Sequence, residues 1–391
     1  MLSTIQSLAK EVAPKVKTWR RHIHANPELS FQEYETAGFV SARLTEFGIE
    51  HQKGIADTGV LGIIKGRNPE SRTIALRADM DALPILEKNE VPYKSIKPGI
   101  MHACGHDVHT SSLLGAAWIL NQVRDQFEGT VKLIFQPGEE KVPGGASLLI
   151  KEGVLRNPAP QSIVAQHVMP WLPVGKVGFR EGLYMASADE IYLTIHGKGG
   201  HGAMPNLAID VVAISAQVIT ALQQVVSRSA DPKIPSVLSF GTVIAQGATN
   251  ILPNSIYLEG TFRTMDEDWR AKAHVKIRQL VEGICESFAA KADLEIRKGY
   301  PFLWNDPELT RKMKSLSQEY MGADNVVDLD IWMAAEDFSY YTQEIPGCFY
   351  RLGTRNEEKG IISGVHTPTF DIDEDALETG CGLMAWLAIH K

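Results

Sequence analysis

Cysteine is scarce in this chain: four residues in 391, Cys104, Cys285, Cys348 and Cys381, with no CxxC pair and no framework spacing. That excludes a disulfide scaffold and points to reduced thiols. A basic excess is missing too. Lysine and arginine number 39 against 47 acidic residues, a net charge of -8 with a pI near 5.9. No cationic face is therefore offered to nucleic-acid phosphates. No apolar run approaches the roughly 20 residues needed to span a bilayer. The first ten residues lack a basic-then-apolar signal pattern and read as an amphipathic helix, so a cytoplasmic location is expected. Internal repeats and low-complexity segments are absent as well. What remains, 44% hydrophobic and 22% charged, is the composition of a globular protein with material for about two domains.

The densest chemistry lies in Met101-His-Ala-Cys-Gly-His-Asp-Val-His109, which puts three histidines, a cysteine and an aspartate in front of an apolar helical segment. A lone His or Cys is more often a packed core residue. Thiolate and imidazole clustered this tightly are the ligands of borderline-soft divalent metals. Asp107 is placed to cap the helix that follows, expected over about 107 to 125. Three further stretches are built to face this loop: Gln136-Pro-Gly-Glu-Glu140, Gln166-His167 and Val365-His366-Thr-Pro368.

The order of elements explains why they would meet. Thr73–Asp79, Thr130–Phe135 and Ser162–Gln166 are short, nearly continuous apolar runs of the kind that form buried strands. Helical patterns alternate with them, which predicts an α/β fold: a mostly parallel sheet with helices on both faces. Each polar stretch as far as His167 falls just past the C-terminal end of a predicted strand, the edge where open α/β sheets bind ligands. From about residue 184 the pattern changes to β-α-β-β-α-β, a ferredoxin-like α+β arrangement. Boundaries of 1–183 and 298–391 for a metal-binding catalytic domain, and 184–297 for an inserted domain, follow.

Cys104, His106, Glu140, His167 and His366 supply five ligands of mixed softness, more than a single catalytic zinc takes. Two divalent ions sharing a bridging water fit better: zinc or manganese, with cobalt and nickel also compatible. Adjacent Glu139 and Glu140 then divide the labour. Glu140 binds metal, and Glu139 reaches the water as general base. Asp79 and Asp81 are candidates for holding a ligating imidazole in one tautomer, with Asp81 counted among the catalytic residues. His22, His24 and His102 read as structural or supporting residues, and His109 is open to either role. In the inserted domain, the Gly-rich loop His196-Gly-Lys-Gly-Gly-His201-Gly-Ala-Met-Pro205 holds a histidine at its tip.

Assembled, these residues resemble the amidohydrolase branch of the two-metal aminoacylase and carboxypeptidase superfamily. That branch includes hippurate hydrolases, N-acyl-amino-acid amidohydrolases, N-acetyldiaminopimelate deacetylases and plant auxin-conjugate hydrolases. The resemblance spans essentially the whole chain. It rests on Arg20-Arg-His-Ile-His-Ala-Asn-Pro-Glu-Leu-Ser30, Arg77-Ala-Asp-Met-Asp-Ala-Leu-Pro84, Met101 to Asp107, Pro137-Gly-Glu-Glu140, Gly199-Gly-His-Gly-Ala-Met-Pro205, Ala335-Glu-Asp-Phe338 and His366-Thr-Pro368.

The resemblance implies the same five metal ligands and the same base. It further implies an inserted dimerisation lid whose His201 reaches the partner's site to stabilise an oxyanion, with Asn250 and Arg263 contacting substrate. The wider superfamily's His-x-Asp is here Asp79-Met-Asp81, and its bridging-aspartate region is the Cys-Gly-His stretch, which leaves the bridging ligand open. The expected activity is hydrolysis of the amide bond of N-acyl amino acids by a homodimer. A dipeptidase or carboxypeptidase on the same metals, or a non-catalytic binding protein on the same scaffold, are the rival readings.

Overall fold

The computed structural model of the protein describes residues 1–390. The chain divides into two compact units: Met1–Tyr184, Trp304–Ile331 and Asp337 onward form the first, and Met185–Leu303 with Trp332–Glu336 form the second. Trp332–Glu336 was not separable by sequence pattern. It joins the second unit because Ala186 N–H donates to the carbonyls of Trp332 and Ala334.

The first unit is built on an eight-stranded sheet. Its strands are β1 (Glu50–Ile55), β2 (Gly59–Lys65), β3 (Thr73–Asp79), β4 (Thr130–Gln136), β5 (Ser162–Pro173), β6 (Val177–Phe179), β7 (Val326–Asp328) and β8 (Gly347–Arg355), in the order β1-β2-β4-β3-β5-β8-β6-β7. The four central strands β4, β3, β5 and β8 are mutually parallel, while β1, β2 and the β8–β6 pair add antiparallel edges. Every residue of β3 and β4 is buried, as expected of strands covered on both faces.

Helices α1 (Leu2–Ala25), α2 (Tyr34–Glu46), α3 (His106–Gln122), α4 (Gly145–Lys151), α5 (Pro307–Met321) and α6 (Ala376–Ile389) flank the sheet. Their buried apolar residues join it in one core, with Val12 and Val16 of α1, Leu113 and Leu120 of α3 and Leu383 and Leu387 of α6 all at 0–1% exposure. Burial of such side chains contributes about 1.5–3 kcal/mol each. The fold is the mixed α/β architecture expected.

One strand runs longer than its pattern predicts. β5 continues through His167 to Pro173, because β8 keeps pairing with it, Arg351 opposite His167. β3 stops pairing with β5 at Ala165. His167 therefore lies inside its own strand, two residues past the last pairing with β3 and level with Asp79, and still reaches the same sheet edge.

In the second unit, strands Asp189–His196, Ser236–Ala245, Ser255–Thr264 and Lys291–Lys298 form an antiparallel sheet. Its order is Ser236–Ala245, Ser255–Thr264, Asp189–His196, Lys291–Lys298. Helices Val211–Gln224 and Glu267–Ser287 cross between its strands, giving the split β-α-β order of a ferredoxin-like layer. The segment Val211–Ser229 is an apolar run of 19 residues. Its buried residues Val211, Ile214, Val218, Leu222 and Val225 recur at helical spacing and join the sheet's core, as on an amphipathic core helix.

Asp189 organises this unit. Its buried carboxylate accepts from Arg270 Nε and Nη2, His274 Nε2 and the Gly299 N–H. Burial disfavours its charge, but His274 and Arg270 outweigh that and hold the carboxyl below the usual range. Its stabilising contribution is thus fully present above about pH 4, the ordinary aspartate range, and is lost as the pH falls below it. Asp189→Asn leaves the buried Arg270 with Glu267 as its remaining carboxylate and is expected to cost about 3 kcal/mol in urea denaturation. A loss within 1 kcal/mol of wild type, about the scale of an exposed pair, contradicts this role.

Candidate active site and metal centre

The predicted residues of the first unit converge at the C-terminal edge of its parallel strands. Asp79 ends β3, with Asp81 two residues on. Glu139 and Glu140 follow β4 in a turn, and His366 lies on the loop after β8. Candidate ligand atoms of Cys104, His106 and His167 lie within 4.8 Å of one another, as do those of Cys104, Glu140 and His366, and those of His106, Glu139 and Glu140. All five expected ligands and the expected base are thus brought together. Cys104 is common to the first two groups.

Local backbone geometry makes this convergence feasible. Gly105, between Cys104 and His106, has φ +89°, and a Cβ there would lie 2.5 Å from Val168 Cγ2. Only glycine fits both the conformation and the space. His366 itself takes φ +61°, a left-handed conformation that a non-glycine residue holds at some cost. Its N–H donates to the Ala103 carbonyl at 2.7 Å, tying the His366 loop to the Cys104 loop.

Hydrogen bonds decide which imidazole nitrogens are free. His106 Nδ1 is 3.1 Å from Asp81 Oδ1, and His106 Nε2 is buried with no hydrogen-bond partner. His167 Nδ1 donates to the Val168 carbonyl at 2.8 Å, which turns Nε2 toward Cys104 Sγ at 3.5 Å. Glu140 Oε1 is 3.2 Å from His366 Nε2. These lone pairs and carboxylate oxygens face one another, a donor set that fits divalent cations.

The electrostatics agree. Burial pushes the Cys104 thiol well up, and Glu140 and Glu139 push it further, so a thiolate needs a cation beside it. Burial opposes a charge on His106, yet Asp79 and the hydrogen-bonded Asp81 raise it to about 10. Burial lowers His167, helped by His109 and Arg351, leaving a neutral imidazole.

His109 takes a supporting role. Its Nδ1 is 2.6 Å from Asp79 Oδ1, and its Nε2 accepts the Val168 N–H at 2.9 Å. Neither nitrogen is free to bind metal, and the ring instead fixes the backbone beside His167. Asp81 reaches His106 and the N–H groups of the glutamate turn rather than a free position in the cluster.

One sequence expectation fails. Asp107 does not cap α3. Gly105 is the N-cap, and no side chain caps that end. Asp107 instead accepts from Arg20 Nε at 2.7 Å and sits 2.8 Å from His24 Nδ1, all fully buried. Arg20 is fully buried, and a buried guanidinium is costly without a counter-charge. This pairing straps α1 to the ligand loop and explains the Arg20 to Ser30 motif. His22 stacks on Phe39. His102 is buried, and burial lowers it to about 3.

A second buried network escaped the sequence reading. Asp337 accepts from Arg77 Nη2, Gln136 Nε2 and the Ala146 N–H at 2.8–2.9 Å, and its own N–H points at Glu139 Oε1, 3.4 Å away. The Ala335-Glu-Asp-Phe338 motif was its only signal. In the second unit, His201 is exposed, and its Nδ1 accepts the Ala203 N–H at 3.1 Å. Asn250 adjoins it, since Gly202 N–H donates to the Asn250 carbonyl. Arg263 reaches the Met333 carbonyl at 3.4 Å.

Sheet and site together define a metal-binding hydrolase. The chain belongs to peptidase family M20/M25/M40, whose model matches residues 75–390. It is 44% identical over 296 residues, 76% of this chain and 79% of the relative, to the N-acyl-L-amino acid amidohydrolase of Geobacillus stearothermophilus. It is 39% identical, across all of this chain and 98% of the relative, to thermostable carboxypeptidase 2 of Saccharolobus solfataricus. Among solved structures, the YXEP protein of Bacillus subtilis, described as a dinuclear metal-binding peptidase, superposes with a TM-score of 0.82 at 36% identity, covering 97% of this chain and 98% of that one.

Proposed function

We propose that the protein hydrolyses the amide bond of N-acyl amino acids to a carboxylate and a free amino acid. The observation that carries this is the pairing of Glu139 and Glu140 on one turn. Glu140 shares a group with Cys104 and His366, and both glutamates approach His106 Nε2, Glu140 at 3.9 Å and Glu139 at 4.0 Å. The likeness to an N-acyl-L-amino acid amidohydrolase supports the substrate class.

Cys104, His106, Glu140, His167 and His366 would hold two divalent ions, zinc or manganese foremost. When bound, such ions polarise an acyl carbonyl and acidify a water. Glu139 takes the proton from that water and later returns it to the leaving nitrogen. Asp81 keeps His106 Nδ1 engaged so that Nε2 faces the cluster. His201, Asn250 and Arg263 are proposed as lid contacts, with His201 of one protomer stabilising the oxyanion in its partner's site.

The likeness to a thermostable carboxypeptidase favours a second reading, cleavage of peptides with a free amine. Amine release from N-acetyl, N-benzoyl and N-indoleacetyl amino acids, measured beside unblocked dipeptides with zinc, manganese, cobalt and nickel, separates the two. Turnover confined to unblocked dipeptides refutes the proposed substrate class.

A homodimer is proposed through the edge strand Ser236–Ala245, which pairs on one side only and exposes Val237, Val243 and Ile244. Such an edge invites a second copy. Val243→Lys is expected to yield monomers in light scattering and to lower kcat. Unchanged mass refutes this interface. The four free, buried cysteines suit a reducing cytoplasm, the compartment proposed.

A further inference from the structure

Glu33 belongs to none of the ligand groups, yet its carboxylate is fully buried and aimed at the glutamate turn. Three consecutive backbone N–H groups of that turn end on only two carboxylates. Gly138 donates to Glu33 Oε1 at 2.8 Å, and Glu139 and Glu140 donate to Asp81 Oδ1 and Oδ2 at 3.0 and 2.9 Å. Glu33 is itself held, accepting from the Phe31 N–H at 2.9 Å and from Thr58 Oγ1 at 2.6 Å. The neighbouring residues press on the same turn. Ser30 Oγ donates to Asp81 Oδ2 at 2.6 Å, and the Phe31 ring lies so close that a Cβ on Gly138 would come within 2.4 Å of it.

Capping its own helix is not the role of Glu33. It occupies the N-cap position of α2, but its side chain makes no cap bond. Glu28 does that work, accepting from the Glu35 and Thr36 N–H groups at 3.1 and 2.9 Å. A buried carboxylate placed beside Asp81 and turned from its own helix is costly unless its far contact matters. That contact is the peptide N–H immediately before Glu139.

We infer that Glu33 is a positioning residue that sets the Gly138–Glu140 backbone, and through it the aim of Glu139 and Glu140. The inference rests on the proposed amide hydrolysis. The required property is an acceptor of the right shape. Glutamine keeps the Oε1 that serves Phe31 and Gly138, and its amide can donate to a rotated Thr58 hydroxyl. Alanine keeps neither. Burial and the charge of Asp81 push the Glu33 carboxyl up to about 7, so a neutral amide suits the pocket.

The test compares metal-loaded wild type, Glu33→Gln and Glu33→Ala by amide hydrogen exchange of the peptide spanning Gly138–Glu140 and by kcat and KM on an N-acyl amino acid. Glu33→Ala is expected to exchange at least about tenfold faster there and to lose about a hundredfold in kcat with KM little changed, as a displaced catalytic group does. Glu33→Gln is expected to restore both. Exchange in Glu33→Ala as slow as in wild type overturns the inference. So does fast exchange with undiminished kcat, or a Glu33→Gln protein as impaired as Glu33→Ala. Should Glu33→Ala not fold, Thr58→Val, which frees one side of Glu33, takes its place, and wild-type exchange and kcat in that variant overturn the inference. If wild type itself cleaves no N-acyl amino acid, the proposed reaction fails, and the exchange measurements still decide whether Glu33 holds the turn.

Discussion

Glu139→Gln is expected to give a folded protein that binds metal as wild type does and turns over N-acyl amino acids roughly a thousandfold more slowly. The substitution is nearly isosteric, and the glutamine carbonyl can still accept the Asp337 N–H that now points at Glu139 Oε1. The five proposed ligands are unchanged, and Glu139 shares a group with His106 and Glu140 but none with Cys104 or His366. Only the capacity to take a proton is removed. The decisive measurement is kcat on protein whose metal content has been determined by elemental analysis. Hydrolysis retained in a metal-replete variant transfers the base role elsewhere. Lost metal instead makes Glu139 a ligand and reverses the division of labour with Glu140.

Cys104→Ala is expected to have the second large effect, this time on metal itself. Cys104 is shared by the group with His106 and His167 and by the group with Glu140 and His366, so its loss strips a donor from both. Were two ions bound, Cys104 would be a donor available to both groups. Removing it is expected to weaken metal binding by more than about a hundredfold, beyond what loss of a supporting contact costs, and to abolish turnover. His366→Ala, which touches one group only, is expected to lose one ion and keep the other. The two variants are compared by metal titration followed by elemental analysis. Equal metal loss in Cys104→Ala and His366→Ala contradicts a cysteine that serves both groups, and full metal retention in Cys104→Ala removes it from the ligand set.

Much of this site was legible in the residues because α/β topology converts sequence position into spatial position. A parallel strand delivers whatever follows it to one edge of the sheet. Asp79 and Asp81 after one buried run, Glu139 and Glu140 after another and His366 on a later loop had to end near one another once the sheet order was right. His167 reached that edge by a different route, from inside a strand that runs on past it, and no run of apolar residues announces where pairing stops. Helix capping misled for a related reason. Asp107 carries the local signature of a cap, but Arg20, 87 residues away, claims the carboxylate.

What the sequence by itself determined is the chemistry available: two carboxylates in tandem, a cysteine and histidines of the ligating kind, and strands short and apolar enough to be buried. Those properties depend on residue type and local spacing, which the chain states directly. What only the tertiary structure decided is how each group is turned. The Asp81 contact leaves His106 Nε2 facing the cluster, the Val168 carbonyl does the same for His167, both nitrogens of His109 are occupied, and Glu33 ignores its own helix to hold Gly138. The partners in three of these four arrangements lie between 25 and 105 residues apart, and in the fourth, between neighbours inside β5, the ring is turned by the pairing of that strand. Hydrogen-bond direction is fixed by the packing of the whole sheet and its helices, and no local pattern encodes it.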